Sequence, residues 1–237
     1  MRSTIGCLVL LYMLPAASAD ATSLRVSPVT LDLSKPRSSA NLTLRNNATQ
    51  PVSVQVRVFR WVQVDGADAY EATTDVVASP PGVRLAPQVD YTIRVVRTSK
   101  APLTKEESYR IVIDELPTRR LLRSGTVNLV VRHSIPVFFR DPQGDPPKVT
   151  WRLQRTSGQL KLVAENTGGT RLKLADLALN QGSARLYARQ GLFGYVLAGA
   201  KAEWPVDLRH RPTGSTVTLS AKSQLGRFHE NVLLVGR

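Results

Sequence analysis

Acid–base, nucleophilic or metal chemistry in this chain would have to be built from three imidazoles, His133, His210 and His229, and one thiol, Cys7. No histidine stands at a metal-pair spacing from another or from the cysteine. The adjacent carboxylates Asp114 and Glu115 fall in a strand-like run, where neighbours point to opposite faces, so they could not share one substrate bond. There is no Gly-x-Ser-x-Gly elbow, no phosphate-cradling glycine loop and no His-Glu-x-x-His pair. These residue types argue against an enzyme, and they imply neither a metal nor a cofactor.

Cations are abundant instead. Lys and Arg number 32 against 18 Asp and Glu, a formal charge of +14, spread along the chain without one long basic run. Such a balance suits nucleic acid, an anionic surface or an acidic peptide, or simply keeps solvated strand faces soluble. Aromatics at 6% and the lack of any helical or Cys/His recognition module count against nucleic acid.

Residues 1–19 have the layout of a secretory signal: Arg2, an apolar stretch from Ile5 to Leu14, and the small residues Ala17-Ser18-Ala19. That stretch is too short to span a bilayer, and no later segment reaches about 18 uninterrupted apolar residues, so no stable membrane insertion is expected. Cys7 lies inside the signal, which leaves the mature chain without a disulfide.

Nearly every later apolar stretch alternates with period two, the strand signal. Leu24/Val26 then Val29/Leu31/Leu33, Ala40/Leu42/Leu44, Val52 to Val58, Tyr91/Ile93/Val95, Tyr109/Ile111/Ile113 and Val127/Leu129/Val131 give six strands, and Asp75–Ala78 a short seventh. The apolar phase shifts at Pro28, as it would in a strand that bulges or changes sheets. Arg140 to Lys148 is dense in proline, glycine and charge and reads as a linker. Beyond it the pattern resumes at 149–153, 159–164, 171–179, 185–188, 195–198, 206–208, 216–219 and 231–235. The expected class is all-β: two immunoglobulin-like β-sandwiches over 20–140 and 148–237, joined by 141–147. Trp61, Trp151 and Trp204 read as core or near-core aromatics. Asn41-Leu42-Thr43 and Asn47-Ala48-Thr49 match the glycosylation triplet but read as polar strand and turn residues.

Three segments, Ala78 to Pro87, Tyr109 to Pro117 and Asn128 to Arg140, resemble in order and spacing the periplasmic chaperones of the chaperone-usher pilus pathway, and the likeness extends thinly over the mature chain. The resemblance implies a boomerang of two immunoglobulin-like domains, located in the periplasm. Its partners would be pilus subunits and an outer-membrane usher, and two free chaperones could cap each other as a dimer. An adhesin or pilus subunit with immunoglobulin-like domains is the alternative reading. Strand donation to a pilus subunit is an established case of β-augmentation. The donor here would carry Val127, Leu129, Val131, His133 and Ile135 on one face, unless that face belongs to its own domain's core.

The arginine and lysine that hold the subunit's terminal carboxylate in better-known members match Pro28 and Pro136 here, as in the divergent, archaic-type branch. In an antiparallel run of the last three strands, Arg97, Tyr109 with Arg110, and Arg140 gather at one end near the linker. Arg97 or Arg110, with Tyr109 beside it and Arg94 a further candidate, could grip the carboxylate bidentately. Each could equally be a surface arginine or a partner of Glu106 or Glu107. By the same resemblance Arg140 would join an acid, Glu106 or Glu107, and a C-terminal acidic residue in fixing the interdomain angle.

Overall fold

Alternating burial explains why these segments are strands. Along the computed structural model, which describes residues 24–116, 130–156, 158–210 and 212–236, every second side chain of the early strands is removed from water. Leu24 and Val26 of β1 (Leu24–Ser27) and Leu31 and Leu33 of β2 (Leu31–Ser34) are all buried, although their phases differ across Pro28. β1 pairs antiparallel with β3 (Ser39–Asn46), whereas β2 runs parallel to β10 (Arg132–Arg140) in the facing sheet. The first strand therefore changes sheets at the phase shift.

One sheet is completed by β8 (Asp90–Arg97) and β6 (Val76–Ser79), in the order β1-β3-β8-β6. The other adds β9 (Glu107–Leu116), β4 (Val52–Val64) and β5 (Ala67–Ala72), in the order β2-β10-β9-β4-β5, with β7 (Gly82–Leu85) also on β4. Between them Leu42, Leu44, Ile93 and Val95 meet Val54, Ile111, Ile113, Val137 and Phe139 in one core. Each such side chain contributes about 1.5–3 kcal/mol by leaving water.

Two strands of this domain carry too little apolar alternation to stand out in the sequence. β5 is almost wholly exposed and forms because Asp65 and Gly66, with φ of 51° and 81°, make the two-residue turn that folds the chain back on β4. β7 shows only Leu85 fully buried.

The second domain is one continuous path, β14-β13-β16-β17-β11-β12-β15. Its strands are β11 (Val149–Thr156), β12 (Gln159–Asn166), β13 (Leu172–Gln181), β14 (Ala184–Val196), β15 (Lys201–Pro205), β16 (Thr216–Ser223) and β17 (Gly226–Val235). β14 packs over β12 and β15, so the sheet curls around a separate core of Leu153, Leu162, Leu174, Leu179, Leu219 and Val232. The stretches 185–188 and 195–198, expected as two strands, belong mainly to one. β14 runs through the exposed Arg189, Gln190 and Gly191, where bulges break the apolar period. The stretch 206–208 lies just after β15 and is not a strand. Trp151 and Trp204 are partly buried against this second core.

Candidate functional site

The sheet β2-β10-β9-β4-β5 has two faces, and only one meets the first core. On the other, Trp61 of β4 and Phe138 of β10 are 2% and 0% exposed because Tyr195 and Leu197 of the second domain cover them. The Trp61 and Tyr195 rings meet edge to face at 5.2 Å, and Phe138 lies 5.9 Å from each. This aromatic joint is a packed contact between the domains.

Arg110 of β9 lies over it. Its guanidinium carbon is 3.8 Å from the Trp61 ring centre and 5.9 Å from that of Tyr195. A delocalised cation on an indole face is attracted by the ring quadrupole while its in-plane donors stay available. Arg110 Nε and Trp61 Nε1 are both buried without an acceptor. Buried donors without a partner are costly, so an acceptor that reached them would be stabilising.

The other anchor candidates stand elsewhere. Arg97 makes a two-pronged pair with Glu107, 2.8 Å on each side, and donates to the carbonyls of Ser99 at 2.6 Å and Ala101 at 2.8 Å. Four of its five N–H donors are thereby engaged within its own domain. Burial works to raise the Glu107 carboxyl, but hydrogen bonds from Arg97 and Tyr109 and the charges of Arg97 and Arg60 outweigh it and hold it below the usual carboxylate range. Tyr109 is fully buried and its hydroxyl donates to Glu107 at 3.0 Å. Burial, followed by the Glu107 charge, pushes this phenol far above its ordinary value. Arg94 is exposed on the other sheet, in register with Asn41 and Ser79.

Charge pairs also cross the domains, in an arrangement that differs from the expected one. Glu106, whose side chain is 1% exposed, pairs at 2.5 Å with Arg171 of the second domain and accepts from the Arg171 backbone N–H at 3.1 Å. Arg171 reaches on to Asp32 at 2.6 Å and covers the Phe138 ring at 3.5 Å. Arg140 touches this network only through Asp32, at 3.4 Å. The second domain thus contributes a cation where an acid was expected, and Glu106 meets Arg171 instead of Arg140. Burial pushes the Glu106 carboxyl up, against the opposing charge and hydrogen bonds of Arg171.

Of the groove-filling candidates, Val127 and Leu129 lie outside the described residues. Val131 is half-buried, its carbonyl accepting from Glu115 N–H at 3.2 Å. His133 is half-buried opposite Ile113, with Nε2 unpartnered. Ile135 has to be removed from that set: opposite Ile111 and 5% exposed, it is a member of the first core. Beyond it polar residues enter the same face, His133 opposite Ile113 one step further and Glu115 beside Val131 one step beyond that. The backbone of β10 is more informative. β9 pairs with it along Arg132–Phe139, but β2 pairs only with Val137–Arg140. Among the described residues, Arg132–Pro136 have no strand on their second side.

Asp32, Arg171 and Tyr195 belong to the site and were not picked out from the sequence. Asp32 shows only as the polar phase of Leu31-Asp32-Leu33, and Arg171 and Tyr195 acquire a role through contacts with the other domain, which no local spacing encodes.

A two-sandwich protein with a half-open edge strand and a cation at the interdomain joint is the class that fold and site define. The model of the pili and flagellar-assembly chaperones, PapD N-terminal domain, matches residues 23–144, and the chain belongs to that family of pilus assembly chaperones, which are not enzymes. A search of curated proteins finds no match. Among solved structures, the chain is similar to one in the CsuC–CsuE chaperone-tip adhesion subunit pre-assembly complex from archaic chaperone-usher Csu pili of Acinetobacter baumannii. The TM-score is 0.71 with 22% identity, over 90% of this chain and 100% of that one. The E. coli chaperone DraB follows with TM-score 0.59 and 23% identity over 88% and 98%. A chain of the Salmonella enterica SafA pilin complex with the SafB chaperone gives 0.61 and 18% over 90% and 98%. At these identities the likeness establishes the fold.

Proposed function

We propose that this protein is a periplasmic chaperone that caps pilus subunits by lending them a β-strand, and passes them to an outer-membrane usher. The observation that carries the reading is the open side of β10 at Arg132–Pro136, next to a joint whose buried donors lack an acceptor. An open edge of backbone N–H and C=O groups pairs with any strand of matching direction, and alternate side chains set the register. A subunit lacking its last strand exposes a groove and an unpaired edge of its own, so one donated strand answers both defects.

The side chains that fill the groove are Val127, Leu129 and Val131, which lie on the chain beyond His133, where polar residues enter that face. The subunit's terminal carboxylate is received by Arg110, whose guanidinium rests over Trp61 and whose planar fork can donate to a planar anion bidentately. Arg97 has a separate task, locking Glu107 and the loop after β8. A free copy could use the same edge to pair with a second copy.

Co-expression with a pilus subunit and purification from the periplasm tests this. Wild type should yield an equimolar complex, Leu129→Glu none, and Arg110→Ala a much reduced yield. Recovery of an unchanged complex by Leu129→Glu would overturn strand donation. Unchanged recovery by Arg110→Ala would overturn the anchor alone.

A further inference from the structure

The β4–β5 hairpin reaches into the second domain through its backbone and one amide side chain. Gln63 Nε2 donates to the Tyr195 carbonyl at 2.8 Å, and its Oε1 accepts from Leu197 N–H at 3.0 Å. A carbonyl and the N–H two residues on are the pair of groups that one residue of a neighbouring parallel strand would engage, so the side chain stands in for a strand. Its orientation is fixed by a third bond, since Asp68 Oδ1 accepts from the same Nε2 at 3.0 Å. Only this setting of the amide satisfies one donor and two acceptors.

The hairpin tip adds a second contact. Gly66 O accepts from Glu203 N–H at 2.8 Å, and a Cβ on Gly66 would run into the Glu203 side chain. Glu203 is itself held by Lys161 at 3.1 Å and Lys201. The separate Glu106–Arg171 pair also crosses between the domains. Two such contacts would still leave the domains an axis to turn about, and a third, off that axis, restrains it.

What this fixes is the wall of the carboxylate site. Tyr195, whose carbonyl Gln63 holds, presents its ring to Trp61, and Arg110 lies against both. We infer that Gln63 is a positioning residue for the carboxylate pocket, a pocket composed of both domains and assembled by this amide clamp. Its ligand is a peptide terminus with a free carboxylate. The inference rests on the anchor reading given above and adds that Arg110 alone is insufficient, because its aromatic wall has to be brought from the second domain.

The test uses the full chain and two fluorescent peptides carrying the last strand of a co-expressed pilus subunit, one ending in a free carboxylate and one amidated. Wild type should prefer the acid over the amide. Gln63→Met, close in shape but without the amide bonds, should lose that preference, the acid peptide weakening by about tenfold. The amide peptide should bind as before, and Trp61 emission should shift in the free protein. Gln63→Glu, which can still accept from Leu197 but no longer donates to Tyr195, should fall between the two. An acid preference undiminished in both variants overturns the inference while leaving Arg110 as anchor. A wild type that binds the acid and amide peptides equally overturns the anchor and the clamp together. If Gln63→Met melts far below wild type, Gln63→Glu decides, since retained folding with retained preference counts against the clamp.

Discussion

The guanidinium of Arg110 lies 3.8 Å from the ring centre of Trp61, and each of these residues carries a buried N–H with no acceptor. A guanidinium that rests over an aromatic face through its central carbon keeps its N–H donors for a carboxylate. On the proposed anchor reading, the joint is preorganised for an anionic chain end.

Replacing Arg110 by Lys separates charge from shape. Lysine keeps the positive charge but loses the planar fork and the stacking. Affinity for a peptide with a free C-terminal carboxylate should fall by about 2 kcal/mol, roughly thirtyfold, in a titration followed by Trp emission. Affinity for the amidated peptide should hardly change. Equal losses for both peptides would place the role of Arg110 in packing.

Glu106 and Arg171 are buried together, with side chains 1% and 9% exposed. Removing the cation alone, as in Arg171→Met, leaves a buried carboxylate unpaired and should cost about 3 kcal/mol. Adding Glu106→Gln should recover much of that loss. A thermal double-mutant cycle measures the coupling, and additive losses would show that the pair is energetically idle.

The two acids that competed for one arginine in the sequence are separated by the pleat. Glu106 turns to Arg171 across the domains, and Glu107 to Arg97 within the first. The alternation of the strands and the phase shift at Pro28, where the chain changes sheets, were readable, because each is a local pattern of residue types. β5 was not, because an exposed edge strand buries nothing and leaves no apolar period. Trp61 was readable as a buried aromatic, yet what buries it, Tyr195, comes from the other domain. Ile135 was placed on the donor face because Val127, Leu129 and Val131 share its phase. That phase continues unbroken in sequence while the core beneath it ends.

Glu107 makes stability depend on acid. Its carboxyl is held below the ordinary range in the folded chain, so its contribution is present above the unfolded value, about 4.3, and is lost as pH falls through the lower folded one. The melting temperature of Glu107→Gln should lie below wild type by a constant gap from pH 7 to about pH 5, a gap that narrows below about pH 4. A gap that stays open at the most acidic values would mean the glutamate acts by shape and not by charge.

Ile135 and Val131 share a strand face in the sequence, but only Ile135 lies in the first core, and this makes their mutations separable. Ile135→Ala removes atoms from a packed interior opposite Ile111 and should cost about 2–5 kcal/mol of stability. At a temperature where the variant is still folded, its complex with a pilus subunit should survive. Val131→Asp places a charge where the subunit groove must be apolar, and costs less in stability because the site is only half-buried. It should nevertheless abolish the complex. Denaturant midpoints and subunit recovery, measured on both variants, give two independent axes. If Ile135→Ala loses the subunit while remaining folded, the donor face extends further along β10 than the first core allows, and the boundary drawn between core and donor at His133, opposite Ile113, is wrong.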